Sequence, residues 1–129
     1  QVEVLAEAAR GGADLGTLRR RADDLVARTH VFGTLDTLEY LKKGGRIGGA
    51  QALLGTMLSI KPCVDISDGR VEEAGKQRTR RKALQWLCDT VVRHGEVEHL
   101  AVRHAEASDV DLFVSMLAEH YRWSRSMSG

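Results

Sequence analysis

The stretch IKPCVDISDGRVEEAGK, residues 60–76, reads as two strands folded back on one turn. Beyond Pro62, Val64 and Ile66 alternate with polar residues, and Val71 opens a return segment running to about Lys76. Between them Asp68-Gly69 is a tight-turn signal, so the run predicts an antiparallel hairpin. Working back from Pro62, residues 48–59 predict a helix that begins near Gly48 and stops at Ser59 before the proline. Its only polar side chains are Gln51, Thr56 and Ser59. A helix apolar nearly all round must be covered on most of its surface by protein or ligand.

The rest of the chain alternates helices and strands around this hairpin. Leu15, Leu18, Ala22, Leu25 and Val26 recur at helical spacing after Asp14, an expected N-cap. Arg19, Arg20 and Arg21 fan out around that helix and read as a solvated face. Thr29 to Thr34 predicts a short strand, and Asp36 is expected to cap a helix carrying Leu38 and Leu41. Gly44 and Gly45 should end it, one of them in the left-handed conformation. Downstream, Thr79 is expected to cap a helix to Arg93, with Leu84, Leu87, Cys88 and Val91 on one face and Gly95 past its end. The last unit reads as a strand from Glu98 to His104 and a helix from Asp109 to His120, with Ser108 and Asp111 resembling a capping box. About five helices, one hairpin and two further strands define an α/β protein.

Bulk properties narrow the function. At 129 residues, with 43% hydrophobic and 29% charged residues and one proline, the chain has the size and composition of one folded domain. Its 19 basic and 18 acidic residues nearly cancel, so no overall field draws it to nucleic acid or an anionic surface. No apolar run reaches the roughly 18 residues that a membrane helix needs. The opening QVEVLAEAARGG lacks signal-peptide order and resembles the middle of a helix, which predicts a fragment. Cys63 and Cys88 read as buried, reduced thiols, and a cytoplasmic location is expected.

The chemistry concentrates at Arg46. It falls between a glycine cap and the next N-terminus, where unpaired backbone N–H groups favour an anion. Its planar fork suits carboxylate or phosphate. Behind it lie Ile47, Leu53, Leu54, Met57 and Leu58. A long-chain acid matches both features, since each buried methylene gains roughly 0.8 kcal/mol. The plainer alternative pairs Arg46 with a carboxylate at the core edge while the helix packs on the sheet.

Other constellations are weaker. His94, His99 and His104 are spaced by five and do not converge as metal ligands without an intervening turn. His104, ending a strand, is a second-tier site residue. Lys76, Arg78, Arg80, Arg81 and Lys82 form the densest basic patch, either a solvated corner or a dock for an acidic partner or nucleic acid. No arrangement for nucleophilic catalysis and no phosphate-cradling glycine spacing stands out.

The run Asp36-Thr37-Leu38-Glu39-Tyr40-Leu41-Lys42-Lys43-Gly44-Gly45-Arg46-Ile47 resembles the signature segment of the DegV family of bacterial fatty-acid-binding proteins. The likeness continues through Leu54-Gly55, Ile60-Lys61-Pro62, the Asp68-Gly69 hairpin, Arg78, Arg81-Lys82-Ala83 and His104-Ala105, and so covers most of residues 2–120. The resemblance implies a single domain, 1–129, with a mixed, largely antiparallel sheet flanked by helices, the second domain of a two-domain protein. It implies a non-catalytic lipid carrier with no metal and no cofactor. One long-chain fatty acid is held between the domains and its carboxyl group is presented to a fatty acid kinase for phospholipid synthesis. Arg46 is then placed near the head group and the kinase contact, with Ile47, Leu53, Leu54, Met57 and Leu58 along the tunnel and Arg78, Arg80 and Arg81 available for docking. The family's N-terminal domain and its closing His-x-Gly-Pro-Gly segment are not found in this sequence.

Overall fold

The computed structural model describes residues 1–55 and 59–121, and the chain divides into two compact units, Gln1–Val31 and Phe32–Gly129. The first unit is a pair of helices, α1 (Val2–Arg10) and α2 (Leu15–Arg28). Gly12, at φ +91°, carries the chain between them. Asp14 caps α2 as expected, its carboxylate accepting from the Thr17 N–H at 2.7 Å. That bond holds the Asp14 carboxyl below its ordinary value.

The second unit is built on a three-stranded antiparallel sheet, β1 (Phe32–Thr34), β2 (Lys61–Asp65) and β3 (Glu72–Gln77), in the order β1-β2-β3. The predicted hairpin is β2 and β3, with Lys61 opposite Gln77 and Asp65 opposite Glu72. Its connection is the loop 66–71. The Ile66 carbonyl accepts from the Gly69 N–H at 2.9 Å, the Asp65 carboxylate accepts from the Ser67 N–H, and Gly69 takes φ +75°. Pairing passes from Cys63↔Gly75 to Val64↔Glu73, which leaves Ala74 as the extra residue of a bulge.

Neighbouring residues of a strand face opposite sides, and Cys63 and Val64 are both buried, so β2 is covered on both faces. Val64 joins Leu38, Ala50, Leu53 and Val71 in one core cluster, flanked by the half-buried Leu35, Leu41, Ile47, Leu54 and Ile66. Helix α4 follows α3 (Glu39–Lys43) in chain order, spans Arg80–Arg93 and packs against all three strands. It buries Ala83, Leu84, Leu87, Cys88 and Thr90. Thr79 caps it, its hydroxyl accepting from the Lys82 N–H at 3.2 Å, and Gly95 follows its end at φ +76°. Helix α5 (Val110–Ala118) packs on α4, and the Tyr121 hydroxyl donates to the Val91 and Gly95 carbonyls there. Burial raises the thiol pKa of both Cys63 and Cys88, which are free and inert.

Four expectations are corrected. Residues 48–55 form a 3₁₀ helix rather than the start of a longer helix, and residues 56–58 lie outside the described residues. Two glycines at its head are poor α-formers, Gly48 lying against Val71 just before β3 and Gly49 against Glu72 at its start. Glu98 to His104 is not a strand. Leu100 and Val102 are half-buried between exposed neighbours, so the predicted alternation is present, but no strand of the described sheet pairs with it. Asp36 does not cap α3, whose N-cap is Leu38. Its carboxylate is instead 3.3 Å from the Lys61 ammonium and 3.6 Å from the Arg80 guanidinium. The Ser108–Asp111 box is likewise replaced, because Asp109 occupies the N-cap position of α5 and gives its carboxylate to Arg80.

Candidate functional site

Arg46 is positioned by how α3 ends. The Leu41 carbonyl accepts from the Arg46 N–H at 2.9 Å and the Lys42 carbonyl from the Gly45 N–H at 3.1 Å, with Gly45 at φ +64°. These two bonds are a Schellman motif in which Arg46 is the second residue past the cap. The guanidinium folds back toward the end of α3, Nη1 lying 3.8 Å from where a Gly44 Cβ would be, near the carbonyl end that favours a cation. The side chain is exposed, and among the described residues it forms no ion pair. The plainer alternative, pairing with a carboxylate at the core edge, is therefore not found among the described residues.

The segment after Arg46 is pinned to the sheet. Val71 accepts from the Gly49 N–H at 2.8 Å. Gly48, at φ +48°, sits so close that a Cβ there would be 2.5 Å from the Val71 carbonyl oxygen. The Glu72 carboxylate occupies the space a Gly49 Cβ would take, a contact with the end of a flexible side chain rather than with backbone. These contacts direct Ala50 and Leu53 into the core and leave Ile47 and Leu54 half-buried at its margin.

The expected site residues thus separate into groups. Ile47 and Leu54 are half-buried at the margin of the core cluster, and the exposed Arg46 directly precedes Ile47 in the chain. Leu53, expected along the ligand path, is 3% exposed and belongs to the core cluster with Val64 and Val71. Met57 and Leu58 lie outside the described residues. His104 is exposed in irregular chain. His94 stacks on Phe32, ring centroids 5.4 Å apart, while His99 stands 4.0 Å from the Glu98 carboxylate. Among the described residues no three His, Cys, Asp or Glu side chains gather as a metal site.

The basic patch also divides. Lys76, Arg78, Arg81 and Lys82 are exposed and unpaired among the described residues. Arg80 is half-buried, its fork bonded to both Asp109 oxygens at 2.7 and 3.1 Å. That pairing holds the Asp109 carboxyl below its ordinary value and raises Arg80 further. Arg80 is therefore engaged within the chain, by Asp109 and Asp36. The cluster of Asp36, Lys61, Arg80 and Asp109 escaped the sequence reading because its members are remote in the chain and none is unusual where it stands.

Fold and site together define an α/β unit in which one exposed arginine stands at the mouth of an apolar segment. The pattern of the family described as "Uncharacterised protein, DegV family" matches residues 1–127, and the chain belongs to the DegV family. It is 37% identical over 113 residues to a DegV domain-containing protein of Streptomyces coelicolor, an alignment covering 88% of this chain and 37% of that one. Among solved structures it is similar to a DegV family protein from Thermus thermophilus, described by its fatty acid binding. There the identity is 39% and the TM-score 0.65, over 71% of this chain and 33% of that one. It is also similar to a fatty acid binding DegV family protein from Streptococcus agalactiae, with 27% identity and a TM-score of 0.76 over 89% and 42% of the two chains. The chain spans 34 to 38% of the length of the first curated relatives it matches. No helix among the described residues is long and apolar enough to cross a membrane.

Proposed function

We propose that this chain is the part of a DegV-type carrier that closes over one long-chain fatty acid and presents its carboxyl group to a partner fatty acid kinase, without catalysing a reaction itself. The carrying observation is Arg46, an exposed guanidinium without an ion-pair partner among the described residues, set directly before the half-buried Ile47 and Leu54. An anionic head group gains a two-pronged charge-assisted partner there, and its first methylenes meet apolar surface. The fatty-acid-binding descriptions of the Thermus and Streptococcus relatives support the same ligand class. Met57 and Leu58 continue the apolar wall in this reading, while Leu53 backs it from the core. The remaining wall and the groups that hydrogen-bond the carboxylate belong to a further domain. The kinase contact is made by Arg46 with Arg78 and Arg81, and the carrier works in the cytoplasm.

Two measurements test the proposal on the protein at its relatives' full length. Mass spectrometry of small molecules extracted after native purification should find a stoichiometric long-chain acid, and a lipid-free extract would overturn the reading. Arg46→Ala should leave the fold intact, since a cation over a helix end contributes only about 0.3–1 kcal/mol. It should lower acyl-phosphate formation with the partner kinase, and unchanged turnover removes Arg46 from the site. The exposed Lys76, Arg78, Arg81 and Lys82 favour a second reading, a nucleic-acid-binding module without lipid. A duplex-DNA mobility shift that survives physiological salt would select it.

A further inference from the structure

We infer that Arg80 is a positioning residue for Arg46, acting through Asp36; this rests on the functional reading above. The segment 36–49 is a bridge with two ends. At its far end Gly48 and Gly49 are fixed on Val71. At its near end Asp36 is held by Lys61 at 3.3 Å and by Arg80 Nη1 at 3.6 Å. Arg80 can do this only because Asp109 fixes the rest of its fork, Nε at 2.7 Å and Nη2 at 3.1 Å. Three places distant in sequence, the head of α4, the N-cap of α5 and the start of β2, thus converge on the first residue of the bridge. Between the two ends Leu38 is fully buried and Leu41 half-buried, and the Schellman bonds tie the Arg46 backbone to the end of α3. A tilt of α3 on Leu38 therefore moves the backbone from which the Arg46 side chain springs.

Charge alone does not explain this use of Arg80. Lys61 already neutralises Asp36, and Asp36 is largely exposed, so a second cation adds little stability there. The planar fork adds direction: its two bonds to Asp109 fix the guanidinium and so keep Nη1 3.6 Å from Asp36, in ion-pair reach, where a lysine ammonium has no second bond to hold it.

The test is a double-mutant cycle on the protein at its relatives' full length, read as acyl-phosphate formation with the fatty acid kinase of the same organism. Arg80→Gln and Arg80→Lys should each lower kcat, by up to about a hundredfold where the head-group contact is displaced by about 1 Å. The KM for the kinase should be unchanged, since Arg80 acts here through Asp36. In an Arg46→Ala background the same substitutions should change turnover by less than about twofold, since neighbours acting through one another are not additive. Asp36→Asn keeps the Arg80–Asp109 fork and serves where Arg80→Gln does not fold; it should give the same non-additivity. Equal losses in both backgrounds, or wild-type turnover in Arg80→Gln, would overturn the inference while leaving Arg46 in the site. If Arg46→Ala alone has no effect, the functional reading fails and this inference falls with it.

Discussion

Gly48 is the residue on which the site's geometry is most exposed to a single change. Its φ of +48° is unfavourable for any L side chain, and a Cβ would meet the Val71 carbonyl at 2.5 Å. Gly48→Ala should therefore destabilise the fold by about 1–3 kcal/mol from the backbone alone, and more where Val71 cannot move. Gly55, at the other end of the same 3₁₀ segment, has no atom of the described residues beyond its chain neighbours within 4 Å of the place a Cβ would take. Gly55→Ala should lie within about 0.5 kcal/mol of wild type, and urea denaturation of the two variants side by side checks the contrast. At this scale much was legible in the sequence. The caps at Asp14 and Thr79, the left-handed glycine after α3 and the buried cysteines follow from the local chemistry of one residue and its near neighbours. Asp36 was misread for the opposite reason. Asp36 has a good capping sequence around it, yet Lys61 and Arg80 compete for its carboxylate from elsewhere in the chain. Leu53 is apolar either way, and only the packing decides whether it faces ligand or sheet.

Among the elements, α4 and α5 are joined at their N-terminal ends by Arg80 and Asp109, and this joint makes stability depend on pH. The guanidinium holds the folded Asp109 carboxyl below its ordinary value, while the unfolded chain titrates it near 3.9. Between those two values the unfolded state binds more protons, so stability rises with pH there. The contribution is complete above the unfolded value and is lost as pH falls through the lower, folded one. Asp109→Asn should therefore show a flatter stability profile than wild type from about pH 5 down to about pH 2, with the gap between them closing at the acid end. Denaturant unfolding at a series of pH values measures this, and parallel profiles would contradict it. The same scale explains the unevenness of the sequence reading. The hairpin β2–β3 was legible because its turn and alternation lie within one short run. Residues 98–104 carry the same alternation, and Leu100 and Val102 are indeed the half-buried ones. A strand is made by hydrogen bonds to a neighbour, however, and nothing in its own residues specifies whether a sheet edge lies within reach.

For the whole molecule, the two units differ in what they can bury. In α1 and α2 no residue is buried, and Val2, Leu15 and Val26 are 79%, 83% and 61% exposed. A helix pair of that length has too little core to offset its chain entropy, so a peptide of residues 1–31 should show little helix by circular dichroism and no cooperative melt. Residues 32–129 hold the core cluster and α4, and carry Arg46. A fatty acid gains about 0.8 kcal/mol per methylene only where the methylene leaves water on all sides, so a long chain reaches about 10 kcal/mol in a closed tunnel. Near Arg46 the described apolar surface is one-sided: Ile47 and Leu54 stand at a margin, and Leu53 is turned into the core. Half of that burial corresponds to a Kd on the order of 0.1–1 mM. Titration of this 129-residue chain with a fluorescent long-chain acid should therefore give only weak binding, while the protein at its relatives' length should bind tightly. Nanomolar binding by this chain alone would mean that it encloses the ligand without help, and the proposal of a shared tunnel would be wrong.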